Sequence, residues 1–102
     1  MKQNKIKVAV STDIKHRSGI IRKLLIEHGF AHTQSDAAKI ILPSLDSVTI
    51  PNRYFIAVEN FKWHQSPLKV QLLYEMAAKG QLVIVGCRSI PKQYEFICEQ
   101  YY

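Results

Sequence analysis

Cysteine is scarce in this chain: only Cys87 and Cys98 occur among 102 residues, and neither belongs to a Cys-x-x-Cys pair or sits with histidines at ligand spacing. Their scarcity excludes a disulfide scaffold and a zinc ribbon, and the expectation is a thiol-containing cytoplasmic protein. Long apolar stretches are missing as well. Uninterrupted runs reach only four or five residues and the start, Met1 to Lys7, is polar and basic, so neither a signal peptide nor a membrane-spanning helix is expected. The four glycines form no Gly-x-Gly-x-x-Gly and no Gly-Lys-Ser/Thr, so no glycine-rich phosphate loop is present. Acidic residues are few, and Glu27, Glu59, Glu75, Glu95 and Glu99 make no evident acid and base pair. No catalytic residue, metal ligand or cofactor is assigned from the sequence, and whether the chain is an enzyme stays open, with a non-catalytic protein preferred.

What is present is ordinary globular material, 47% hydrophobic and 22% charged, in a length that suits one core and is too short for two. Fourteen Lys and Arg against eight Asp and Glu leave a formal charge of +6, which favours polyanionic partners.

The hydrophobic pattern predicts alternating strands and helices. Ile6 to Ser11 is a β-branched run with period-two character, a first strand. Ser18 is the expected cap of a helix carrying Ile20, Ile21, Leu24, Leu25 and His28 at helical spacing, ended by Gly29. Thr33 to Leu42 reads as a short helix capped by Ser35, with a buried strand over Lys39 to Leu42 as the alternative. Val48–Ile50 and Tyr54–Val58 flank Pro51-Asn52-Arg53 as a hairpin. Ser66-Pro67 starts a helix to Gly80 with the stripe Leu68, Leu72, Leu73, Met76 and Ala77, and Leu82 to Gly86 is a buried strand. From Pro91 onward, Tyr94, Ile97, Cys98 and Tyr101 share one face of a final helix. The fold expected is α/β, a single layered domain with about four strands in a mixed sheet and three or four helices.

Three clusters carry possible chemistry. Ser11, Thr12 and Asp13 end a buried strand, and Lys15, His16, Arg17 and Ser18 follow at a helix start, an arrangement that suits a phosphate; the plainer reading is a polar loop with a cap. Phe61-Lys62-Trp63-His64 sets the only tryptophan between cationic or ionisable neighbours, where it stacks on an unpaired base, lids the core or anchors a partner protein. Gly86-Cys87-Arg88-Ser89 follows the last strand, at the edge where α/β sheets bind ligands, with Cys87 a candidate nucleophile or simply buried.

Leu24 to Ile41, followed by Val48-Thr49-Ile50, resembles the S-four RNA-binding module of a small-subunit ribosomal protein, tyrosyl-tRNA synthetases and pseudouridine synthases. The shared rhythm is a helix ending in glycine, a capped helix with Ala and Ile in its core, and a short strand, over about a third of the chain. The departures are Gln34 where the family has arginine, Pro43 to Asp46 in place of a basic-glycine corner, and Pro51-Asn52 in place of Asn-Gly. The resemblance implies RNA contacts through Lys39, with Arg22, Lys23 and Arg53 as neighbours.

The leading expectation is a small accessory protein that binds nucleic acid, RNA or single strands, through Lys15, Arg17, Arg22, Lys23, Lys39, Arg53, Lys62 and Trp63. A second is a Rossmann-like nucleotide or sugar-phosphate binder or enzyme using Ser11, Thr12, Arg17, Ser18 and Arg88. It requires the first strand and the Leu82–Gly86 strand to be adjacent and parallel. A third is a protein-interaction module, an inhibitor or adaptor, presenting Trp63 and the C-terminal tyrosines to another protein.

Overall fold

A computed structural model describes residues 4–46 and 54–102. Among the described residues four strands form one sheet: β1 (Ile6–Val10), β2 (Phe55–Val58), β3 (Leu82–Cys87) and β4 (Cys98–Tyr101), in the spatial order β2-β3-β1-β4. The α/β class and the strand count follow the sequence expectation. Every neighbouring pair among the described residues is parallel, with β1 against β3 in the register Val8 to Val85 and Val10 to Cys87. The hairpin partner Val48–Ile50, which made the expected sheet mixed, lies outside the described residues, as does Arg53.

Parallel strands need covered faces, and the side-chain alternation divides the core in two. On one face Ala9, Ala57, Leu82 and Ile84 meet Ile21, Leu24 and Leu25 of α1 (Ile14–Glu27) and Ala37 of α2 (Gln34–Lys39). On the other, Val8, Ile56, Val58, Val83 and Val85 meet Val70, Leu73, Met76 and Ala77 of α3 (Pro67–Ala78). β3 is buried along its whole length, which is why Leu82 to Cys87 reads as a continuous apolar run rather than an alternating one.

Helix ends explain most of the remaining differences from expectation. α1 is capped by Asp13, whose Oδ1 accepts the Lys15 amide at 2.9 Å, so the helix begins a turn before Ser18. Thr33, not Ser35, caps α2 by accepting the Asp36 amide at 3.0 Å. Leu42 then makes a one-residue parallel bridge to Val58, so both readings of that stretch are partly realised: a helix over 34–39 and a strand-like contact after it. Ser66 caps α3 with Pro67 in its first turn, as the dipeptide predicts. Leu68 is 69% exposed and does not join the buried stripe.

The C-terminal segment departs most. In place of an α-helix from Pro91, a short 3-10 helix (Lys92–Ile97) leads into β4, which pairs with the open side of β1. Residues spaced i, i+3, i+4 and i+7 satisfy a helix, but an unpaired edge on β1 offers Cys98 to Tyr101 ladder hydrogen bonds that an isolated terminal helix lacks.

Candidate anion-binding site at the carboxyl edge of the sheet

Because all four strands run parallel, their carboxyl ends open on one edge. There the loop after β1 and the turn after β3 are joined, the Ser11 amide donating to the Cys87 carbonyl at 3.1 Å. The segments that follow these neighbours leave to opposite faces: α1 packs on one, while Ile90, Tyr94 and Ile97 pack on the other. This is the crevice at a switch point where open α/β sheets bind ligands. The condition set for the nucleotide or sugar-phosphate reading, adjacency and parallel pairing of these two strands, is met.

The loop after β2 crosses above the end of β3. The Phe61 amide donates to the Gly86 carbonyl at 2.8 Å, and a Cβ at position 86 would overlap the Glu59 carbonyl oxygen and press on Ile21 Cδ1 at 3.3 Å. Glycine is required at Gly86 for this close approach. The crossing forms a cavity of about 310 Å³ lined by residues of the 60–65 loop and by Cys87, Arg88, Ser89 and Pro91. Lys62, His64 and Arg88 are among its lining residues and no carboxylate is.

Arg17 is the chief correction to the sequence reading. Expected as an exposed phosphate contact, it is only 4% exposed. Its Nη1 donates to the Ser11 carbonyl at 3.3 Å, its Nε has no hydrogen-bond partner, and it makes no ion pair among the described residues. The helical spacing carries the signal: Arg17 lies four residues before Ile21 and seven before Leu24, on the buried stripe extended one turn toward the strand end.

Of the three readings of Trp63, the core lid is the one realised: the side chain is 4% exposed and belongs to the core, not to an exposed base-stacking surface. Its ring meets Phe61 edge to face at 5.0 Å and stacks on Tyr94 at 5.5 Å, so its faces are not open to a base. Its indole Nε1 is buried without a hydrogen-bond acceptor. That nitrogen neighbours Cys87, whose thiol is pushed up by burial while the Trp63 N–H and the Arg17 charge act in the opposite sense. Burial also pushes Cys98 up, to about 12, with nearby Cys87 adding to it. Both cysteines are free and both thiols stay protonated at neutral pH, which leaves Cys87 poorly suited to nucleophilic attack.

The other sequence candidates scatter. Ser11 is half-buried, and its Oγ accepts the Asp13 amide at 3.0 Å, while Thr12 is exposed. Ser18 lies inside α1 and donates to Glu59 Oε1, so it is neither the cap nor a free hydroxyl. From the sequence Glu59 stood only among carboxylates without an acid and base partner; its position immediately after β2, at the same strand end, was the available clue to this contact. Lys15, Lys23, Lys39, Lys62 and Arg88 are exposed, but Lys23 lies 4.0 Å from Glu27 and Arg22 Nε donates to Gln34 at 2.7 Å. The stretch from Lys15 to Lys23 is therefore not one continuous basic face. Among the described residues there is no cluster of metal-ligating side chains, and no helix is long and apolar enough to cross a membrane.

No protein-family model, curated protein or solved structure matches this chain.

Proposed function

We propose that this domain binds a small phosphorylated ligand at the carboxyl edge of its parallel sheet, between the loop after β1 and the Cys87–Ser89 turn. The observation that carries the reading is Arg17. A buried guanidinium with an unpaired Nε and no carboxylate partner costs several kcal/mol in desolvation, and an oxyanion offsets that cost through charge-assisted hydrogen bonds. Lys62 and Arg88 add positive charge among the residues lining the neighbouring cavity. Asp13 already occupies the amino end of α1, so the ligand is expected on the β3 side of the crevice rather than over the helix axis.

Calorimetric titration with inorganic phosphate at constant ionic strength tests this. Saturable binding that disappears in Arg17→Met is the expected result. Absence of saturable binding, or equal affinity in wild type and Arg17→Met, rejects the reading.

Nucleic acid is the second reading, supported by the formal charge of +6 and by exposed Lys15, Lys23, Lys39, Lys62 and Arg88. Its measure is oligonucleotide affinity across salt concentrations: a slope near zero removes it.

A further inference from the structure

The two edges of the sheet differ in how they are covered. On β2, Leu42 lies along the outer side, its amide donating to the Ala57 carbonyl and its carbonyl accepting the Glu59 amide, both at 2.8 Å. Among the described residues β4 has no strand on its outer side, and it carries none of the lysines, prolines or bulges that keep edge strands from pairing. Its one charge, Glu99, is already met by Lys7 at 3.1 Å. Phe96 and Tyr102, at 74% and 75% the most exposed large apolar side chains among the described residues, stand at the two ends of this strand.

We infer that two copies of the chain pair antiparallel through β4, joining their sheets across a two-fold axis at Gln100. Such an axis stands normal to the sheet and keeps each side chain on its own face, so one residue of the strand faces its own counterpart. Centring on Glu99 sets two carboxylates opposite each other, and centring on Cys98 or Tyr101 leaves the strands barely overlapped. Centring on Gln100 sets carboxamide against carboxamide, each with a donor and an acceptor for the other, and Glu99 against the Tyr101 hydroxyl. It also puts Cys98 opposite Tyr102 with Phe96 at the diagonal position, so each exposed Phe96 meets the exposed Tyr102 of the second copy. The Tyr102 hydroxyl donates to Gln100 in its own chain, which keeps that ring alongside the strand. Four such rings have about 450 to 750 Å² to bury. With the short ladder added, this approaches the roughly 1,000 Å² of a specific interface, the size of a weak, concentration-dependent dimer. The pairing stands on β4 alone and is independent of phosphate.

Sedimentation velocity of the full chain over a dilution series tests this, read beside amide exchange in β4. The expected result is a mass rising from 11.7 kDa toward twice that value, with exchange in β4 slowing as the dimer forms. Phe96→Ser combined with Tyr102→Ser, both on the surface, should weaken association about tenfold or more. Gln100→Glu and Gln100→Lys should each weaken it severalfold, while an equal mixture of the two restores it, because opposite charges then face across the axis. A wild type that is monomeric at every concentration overturns the inference in favour of a strand from another protein or a bare edge. Association that the Phe96, Tyr102 double variant leaves unchanged, or that occurs without slower exchange in β4, puts the contact elsewhere and overturns it. A mixture that associates no more tightly than either Gln100 variant alone overturns the two-fold at Gln100.

Discussion

Two side chains at the strand ends carry opposite kinds of burden. Trp63 is packed on Phe61 and Tyr94 and contributes as a core residue. Trp63→Ala is therefore expected to destabilise the domain by about 3 to 5 kcal/mol, read from the midpoint of urea unfolding. A change below about 1 kcal/mol would mean that the ring packs loosely enough to serve a surface role. Arg17 buries charge without an anionic partner, so its presence weakens the unliganded fold. Neither fact was plain from the sequence. Trp63 stands between Lys62 and His64, both exposed, and one buried position in a polar loop has no period to betray it. Arg17 had a period, but its charge argued for solvent more strongly than its spacing argued for the core.

At the scale of elements, legibility followed how many constraints agreed. β1, β3 and α3 were readable because composition, caps and breakers pointed the same way: Ser66-Pro67 opens α3, and Gly80, at φ +91°, follows its end. The final segment was not, because its helical spacing holds only through the 3-10 turn, where Tyr94 and Ile97 face one core, while Cys98 and Tyr101 fall on opposite faces of the sheet, a choice made by the vacant edge of β1 far away in sequence. β4 is secured there by Lys7, whose Nζ donates to Glu99 at 3.1 Å and to Tyr101 at 3.3 Å, and by the Tyr101 hydroxyl donating to Glu99.

Those bonds make the hold on β4 pH-dependent. The Tyr101 hydrogen bond, opposed by partial burial and helped by Lys7, keeps Glu99 below its ordinary value. Its contribution is present above the carboxylate range of the unfolded chain and is lost as pH falls through the folded value. Burial draws Lys7 downward, but its bonds to Glu99 and Tyr101 prevail and leave it raised; that contribution is full below the lysine range and is lost as pH rises through the folded value. Amide exchange in β4, compared with β3, should accelerate at both extremes and be slowest across the neutral range. A constant ratio at all pH values would show that these side chains do not hold the strand. At the other end of the sheet, Gly86→Ala forces the β2–α3 loop off β3; a substantial destabilisation, detected as a lowered Tm, is expected, and an unchanged Tm would mean the loop shifts freely.

For the molecule as a whole, the parallel sheet brings loops distant in sequence to one edge, and the central claim is that a buried cation there awaits an anion. The α/β architecture was legible in the alternation of strands and helices; the crevice was not, because it depends on β3 inserting between β1 and β2. The most direct measurement is urea unfolding of wild type and Arg17→Met with and without inorganic phosphate at matched ionic strength. Phosphate should stabilise wild type, by about 2.7 kcal/mol when present at a hundred times its Kd, and leave Arg17→Met unchanged, while without phosphate the variant is at least as stable as wild type. Equal stabilisation of both proteins, or a phosphate-free variant weakened by about 3 to 5 kcal/mol as when a satisfied buried pair is broken, would contradict the account.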